Sequence, residues 1–510
     1  MKNENVLRST ALLTLSGIAA KTIDFVFRAY YSKQLGSEGL GVFSLCFAVH
    51  GIMLNIATGG IGVAVSKIVS EKFAKREFGE VKATMRVAVG TVLVLSIIVI
   101  FFTCLFSPQI AEFFLKEPRC RMSIICLSPS VLFMGISYCI KGYFYASRRV
   151  FPPASSEFLE QAVKITSITY FLKKMLPMGI EHGCEAVLAG ISLGEFSSCV
   201  YLLVFYAEDQ RRIKCPTRGR LKGAATLVAN IALPIMATSM ATSFLRVREE
   251  VLIVGSLQRS GLSHVEALSA YGGIYGMIMP LVIFPLTLLS SCFTMLVPEI
   301  SRAYARQSSA RLKTLVSKIY RFCTFFGFLV MCIVVTFASE ILALVYDAPQ
   351  LANQLKTIAL LCPLMFVDSV SCGILNGMGK QNALLKFSFM DSLSRILLIT
   401  VLIPKYGTGA LLFVIIASNM LTPYLTMKRV LGETAIHFQW SGWFLKHMAS
   451  ALVTYFVADS LFVGICRGAA LNTVFAAGCA IVVYFCSGIV LSATSRTDFL
   501  WLARRTFSDT

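Results

Sequence analysis

The sequence predicts an all-α polytopic membrane protein, and three observations carry that prediction. Fourteen apolar stretches, each about twenty residues long, run between Val6 and Leu491 with short loops between them. Mean hydropathy is +0.73 and 56% of the 510 residues are hydrophobic, a composition that suits a bundle of spans and no soluble domain. The stretches are also too continuously apolar for the alternating strands of a barrel, which leaves helices as the way to satisfy backbone polar groups in hydrocarbon.

In chain order the stretches are 6–31, 40–66, 85–107, 122–145, 152–175, 183–206, 224–246, 268–297, 317–338, 353–377, 383–404, 407–427, 445–466 and 469–492. The first contains Lys21, Asp24 and Arg28 and runs to Tyr31, too long and too charged for a cleaved secretory leader. The fifth is interrupted by Glu157, Glu160 and Lys164. Pro234, Pro280, Pro285 and Pro363 fall inside stretches and predict kinks. The longer breaks, 207–223, 247–267 and 428–444, are charged and carry no core of their own.

The net charge of +20 is distributed by side rather than by domain. With the N-terminus on the cytoplasmic side, the clusters Lys67–Arg86, Arg211–Lys222 and Arg302–Arg321 all sort to that side, and so does the C-terminus. Basic loops beside anionic lipid headgroups account for this charge, and no nucleic-acid partner is implied. The 16 cysteines are scattered singly, without C-x-x-C, and read as small packing residues, not as metal ligands or disulfides.

The chain repeats itself. Gly142-Tyr-Phe-Tyr-Ala-Ser-Arg-Arg leads into Glu160 and Lys164, and Gly373-Ile-Leu-Asn-Gly-Met-Gly-Lys leads into Asp391 and Arg395, with both pairs offset by 231. Val65-Ser66-Lys67-Ile68-Val69-Ser70 is echoed by Val297-Pro298-Glu299-Ile300-Ser301-Arg302 near the same offset. Six stretches separate the copies, so the repeat is parallel. It predicts an N-lobe of helices 1–6 (residues 1–222) and a C-lobe of helices 7–12 (223–430) facing each other across a cavity. Helices 13–14 and a cytoplasmic tail (431–510) follow as an appendix.

Charges inside the stretches are the candidate site. A charge facing lipid at mid-bilayer costs at least about 2.5–3.5 kcal/mol, so these side chains should turn inward. Lys21, Asp24 and Arg28 fall on one face of the first helix, with two bases to one acid. Glu160/Lys164 and Asp391/Arg395 are i, i+4 pairs able to neutralise themselves. The expected cavity cations are therefore Lys21, Arg28, Lys164 and Arg395. The coupling or orienting acids are Asp24, Glu160 and Asp391. A positive cavity suits an anionic head group, since Arg presents a planar fork to phosphate and Lys a compact charge.

Weaker candidates are Glu195, Asp368 and Asp459, while His50 reads as a satisfied packing histidine. Arg246, Arg248, Glu249 and Glu250 read as a solvated helix end, with an outer gate as the alternative. Gly59-Gly60-Ile61-Gly62 reads as close helix packing. The chain has no D-x-D, H-E-x-x-H or Walker loop and no extramembrane domain, so no enzyme, catalytic residue, metal or cofactor is expected.

These motifs resemble a known family. Lys21 to Arg28, Leu35-Gly36-Ser37-Glu38-Gly39-Leu40-Gly41 and Gly60-Ile61-Gly62-Val63-Ala64-Val65-Ser66-Lys67 are similar to the start of stage V sporulation protein B-type transporters. Those transporters belong to the multidrug/oligosaccharidyl-lipid/polysaccharide exporter superfamily. Ala267-Leu268-Ser269-Ala270-Tyr271-Gly272, Pro280-Leu281, Leu296-Val297-Pro298-Glu299-Ile300-Ser301 and Gly377-Met378-Gly379-Lys380 extend the likeness over most of the chain. The resemblance implies fourteen helices in two lobes, alternating access, and a polyprenyl-pyrophosphate-linked sugar or peptidoglycan precursor as cargo. It also implies a need for first-helix cations, here Lys21 and Arg28. Gly62 stands where the family usually has Pro, and Lys164 where Arg is common.

The sequence thus leads to a flippase in the plasma membrane with both termini cytoplasmic. Its partners are a lipid-linked anionic glycan, anionic membrane lipids and enzymes of envelope biosynthesis. The alternatives are a cation-coupled multidrug exporter of the same superfamily and a membrane-embedded glycosyltransferase or ligase.

Overall fold

The computed structural model describes residues 2–147, 149–212, 221–293, 297–306, 308–436, 440–461 and 470–491, and these are helical almost throughout, with no strand among them. Each of the fourteen apolar stretches is mainly helical where it is described, with turns at Gly59–Gly60, Phe106, Phe337 and Leu360–Leu361. Among the described residues eight helical stretches are long and apolar enough to cross a bilayer. A ninth arises if the bent pair Pro349–Ala359 and Cys362–Gly377 is one span. The number falls below fourteen partly because Ser16–Ala74 and Gln381–Thr434 each hold two apolar stretches. Part of the Arg211–Lys222 cluster and the C-terminal tail from residue 492 lie outside the described residues.

The elements that position the site are α1 (Lys2–Thr58), α2 (Ile61–Ala74), α3 (Phe78–Leu105), α4 (Cys120–Ala146), α5 (Phe151–Met175), α6 (Ile180–Arg212), α7 (Leu221–Arg259) and α8 (His264–Tyr271). A π-helical run, Gly272–Ile278, continues α8 into α9 (Met279–Phe293). Beyond it lie α10 (Val297–Ala305), α11 (Ser309–Thr336), α12 (Ala338–Tyr346), α13 (Ala352–Ala359), α14 (Cys362–Gly377), α15 (Gln381–Thr434), α16 (Lys446–Leu461) and α17 (Ala470–Val490).

Glycine decides where the longest helices fold. Gly36 in α1 (φ 68°) and Gly407 in α15 (φ 59°) sit in the region that side-chain-bearing residues avoid, and each separates two apolar stretches. The 54° bend between α13 and α14 falls just before Pro363, one of the prolines the sequence marked for a kink. Pro234 and Pro285 lie inside α7 and α9.

The chain divides into two compact units. One comprises Leu15–Gly255 with Ser263–Gly272, and the other Met1–Thr14, Ser256–Leu262 and Gly273–Thr510. In the first, a core of Val65, Val81, Met85, Val92, Ile140, Tyr143 and Leu202 joins α2, α3, α4 and α6. A β-carbon at Gly59 would meet Met236 at 2.5 Å and one at Gly142 would meet the Gly62 carbonyl at 2.9 Å, so these glycines do serve close packing. In the second unit Tyr320, Phe366, Val370, Ile374 and Trp443 form the corresponding core of α11 and α14 with the segment before α16.

One expectation fails. Arg246, Arg248, Glu249 and Glu250 do not end a helix, because α7 continues to Arg259. Glu249 is buried and Glu250 accepts a hydrogen bond from the Tyr271 hydroxyl at 2.7 Å. A helix needs no apolar side chains once it leaves hydrocarbon, so hydropathy marked its exit from the span and not its end.

Candidate functional site

In the first unit the charges converge from four helices. On α1, Lys21 is exposed, Asp24 lies one turn on, and Arg28 is half-buried a further turn along. Lys164 on α5 does not close on Glu160 of its own helix. Its side chain is 12% exposed; the ammonium hydrogen-bonds the Asp24 carboxylate, and the Gln161 amide donates to the same oxygen at 3.5 Å. The self-neutralising pair read from the i, i+4 spacing is therefore replaced by a bridge between helices. The cause lies in the packing of α5 on α6. A β-carbon at Gly194 would stand 3.0 Å from Lys164 Cβ and 3.1 Å from the Glu160 carbonyl, so the base of the Lys164 side chain is pinned against α6.

Glu160 keeps electrostatic neighbours in Lys141, Lys164, Glu157 and Asp24, and Glu195 of α6 joins the same cluster. Lys141 on α4 lies 3.7 Å from Glu157. Lys141 and Gln161 were missed by sequence reasoning. Lys141 stands near the end of an apolar stretch, where a base reads as a headgroup contact, and Gln161 carries no charge.

Arg28 differs from these. Among the described residues no carboxylate lies within ion-pair distance of it, and its Nε is buried without a hydrogen-bond partner. Its guanidinium carbon stands 6.0 Å from the centre of the Phe43 ring, on the stretch that follows the Gly36 fold. A guanidinium on an aromatic face keeps its fork free for a planar or tetrahedral anion.

In the second unit Arg395 lies 3.8 Å from Asp391 on α15, the i, i+4 pair the spacing predicts. The fold at Gly407 brings Ser418 back to donate to Asp391 at 2.7 Å, and Thr426 donates to Asp368 of α14 at 2.8 Å. His50 hydrogen-bonds Ser130 at 2.8 Å and is buried, as a packing histidine should be. The Asp459 side chain lies outside the described residues.

The first unit also holds an apolar groove of about 700 Å³. Val49 and Met53 of α1, Ile98 and Phe102 of α3, Phe113, and Phe244 of α7 are among its walls. It can take hydrocarbon and offers little to a sugar or phosphate.

The sequence profile of the polysaccharide biosynthesis protein family matches residues 6–304, more than half of the chain. The chain belongs to that family. A MatE profile matches residues 251–401. Stage V sporulation protein B of Bacillus subtilis (strain 168) is 25% identical over 416 residues, 80% of each chain. The lipid II flippase MurJ of the same organism is 25% identical over 215 residues, 40% of each. Among solved structures, lipid II flippase MurJ in an inward closed conformation superposes with a TM-score of 0.69 at 13% identity, covering 96% of this chain and 99% of that one. An inward-facing multidrug resistance MATE family transporter of the MOP superfamily gives 0.63 at 15%, covering 84% and 100%. The fold is thus the polytopic helical fold that these solved transporters share.

Proposed function

We propose that the protein flips a polyprenyl-pyrophosphate-linked oligosaccharide or peptidoglycan precursor from the inner to the outer leaflet of the plasma membrane. The product feeds envelope polysaccharide assembly. Both termini are cytoplasmic in this reading, because the basic clusters sort to that side. The observation that carries it is Arg28, a half-buried guanidinium with a buried, unsatisfied Nε and no carboxylate in ion-pair reach among the described residues. An uncompensated cation held inside a membrane protein is costly unless an anion visits it. A pyrophosphate supplies that anion in bidentate form. Lys21 and Lys164 widen the positive face, with Asp24 fixing Lys164 in place. Arg395 and Asp391 play the corresponding part in the other unit. The relatives named above include a lipid II flippase, which supports a lipid-linked cargo.

The chemistry is transport, with no bond made or broken. An inside-negative potential assists it: a head group of roughly two charges gains about 4–5 kcal/mol per 100 mV in moving outward. The test is head-group exposure in proteoliposomes loaded with a polyprenyl-pyrophosphate-linked glycan, with and without an imposed potential. Faster exposure with the inside negative supports the reading, and no exposure under either condition defeats it.

A second reading, cation-coupled export of small molecules, is favoured by the MatE match and by the Asp391–Ser418 and Asp368–Thr426 groups, where carboxylates meet hydroxyls. Ion-driven efflux of a cationic dye without glycan flipping would select it.

A further inference from the structure

We propose that Glu38, Glu117, Arg119 and His264 form a latch on the outer face that holds the segment Ser263–Gly272 against the fold of α1, and that acid on that face tightens it. The side assignment rests on the topology proposed above; the latch itself requires no cargo. His264 is the first residue of α8, and its Nε2 lies 2.6 Å from Glu117 Oε2. Arg119 donates through Nε and Nη2 to the two Glu117 oxygens at 2.8 and 3.1 Å, and through Nη1 to Glu38 at 2.7 Å. Three stretches distant in sequence therefore meet through Arg119 and Glu117, and Glu117 is only 2% exposed.

The helix start is set firmly. Ser263 caps α8 by accepting from the Glu266 amide while the Glu266 carboxylate accepts from the Ser263 amide. Beneath the charges the two backbones touch. A β-carbon at Gly41 would stand 2.6 Å from the Leu268 carbonyl, and one at Gly272 would overlap the Ser37 carbonyl. Immediately after this contact the chain enters the π-helical run Gly272–Ile278. Such runs are rare, mark functional sites, and interrupt the regular ladder where a helix can bend.

The charges give the latch its sign. With His264 neutral, the four side chains sum to one net negative charge, and protonating the imidazole brings the sum to zero. The contact to Glu117, already charge-assisted through the ionised carboxylate, then becomes an ion pair. Burial pushes the Glu117 carboxyl up, but hydrogen bonds from Arg119 and His264 outweigh it and hold the group below its usual range. Glu117 is therefore held in its ionised form. Among the described residues, the thiols of Cys46 and Cys184 also face Glu117. Closure strengthens when the imidazole carries a proton and weakens when the carboxylates are protonated.

The experiment uses the full chain in liposomes, without cargo, and a membrane-impermeant maleimide applied outside. Leu268→Cys is fully buried against Gly41 and reacts only when the segment lifts, whereas Lys116→Cys is exposed nearby and corrects for reagent chemistry and orientation. The Leu268→Cys rate relative to Lys116→Cys should fall at least about fivefold from pH 7.5 to 5.5, the lower end of ordinary coupling between sites. With His264→Gln added, the ratio should become flat. Glu117→Gln should label rapidly at both values. Ala267→Cys, also buried, repeats the measurement should Leu268→Cys fail to fold. A flat ratio in the parent, an undiminished pH response in His264→Gln, or no labelling at any pH overturns the latch. Glycan flipping measured separately tells its failure from that of the transport reading.

Discussion

Lys164 of α5 gives its ammonium to Asp24 of α1, although Glu160 stands one turn away on its own helix. The bridge ties the first helix to the fifth and leaves Arg28, one turn further along α1, without an acid among the described residues. Asp24 is therefore a partner of Lys164 and not the residue that holds Arg28. Breaking a fully buried pair costs about 3–5 kcal/mol, and because the Asp24 side chain is 50% exposed the cost here falls to about 1–2 kcal/mol. Asp24→Asn and Lys164→Gln should each lower thermal stability in detergent, and the double variant should lose less than the sum. Additive losses would mean that the pair does not hold the helices together.

The seam that aims Lys164 is made of glycine. At Gly194 a methyl group would press on Lys164 Cβ and the Glu160 carbonyl, while at Gly373, inside α14, it would meet nothing within 4 Å. Gly194→Ala should cost about 1–3 kcal/mol through overpacking and should also reduce transport, since Lys164 shifts with the helix. Gly373→Ala should be neutral or slightly stabilising, because alanine favours helix more than glycine does. Parallel melting curves and flipping rates decide it. Equal stability of the two variants would contradict the packing account.

The contrast between spans and pairs shows what the sequence could carry. Span length and hydropathy are local, so the fourteen stretches are mainly helical where described, and Pro363 falls at a real bend. Partners are not local. Glu160 and Lys164 satisfy the spacing for a pair, yet the choice of Asp24 is made by which helix packs alongside. Asp391 and Arg395 satisfy the same spacing and stay together. Glu117 and His264 are 147 residues apart, both beyond span ends, and nothing in their neighbourhoods distinguished them from ordinary loop charges. The run of α7 past Arg246 was hidden for a related reason: hydropathy reports where hydrocarbon ends, not where hydrogen bonding does.

Topology follows from the charge distribution and can be read chemically. Gln350 follows α12 on the face assigned to the outside, and Lys75 follows α2 on the face assigned to the cytoplasm; both are exposed. In intact cells Gln350→Cys should react with an impermeant maleimide and Lys75→Cys should react only after permeabilisation, each read against the unaltered chain. The reverse pattern would invert the protein in the membrane. It would also place the Glu117–His264 cluster inside.

Arg28 bears the functional reading, and its substitutions separate charge from geometry. Alanine removes both the cation and the fork, so flipping should fall by about 10–100-fold, the equivalent of about 1.5–3 kcal/mol for a charge-assisted hydrogen bond. Membrane abundance should hardly change, because no ion pair is broken and Nε already lacks a partner. Lysine keeps the charge but loses the bidentate fork, and should restore part of the rate. The measurement is head-group exposure on the outer leaflet at matched protein levels, with Lys21→Ala alongside as an exposed cation on the same helix face. Normal transport by Arg28→Ala would remove the pyrophosphate contact from α1. Loss of the protein itself would show that the stacking of Arg28 on Phe43 is structural, and the head group would then have to be sought nearer Lys21 and Lys164.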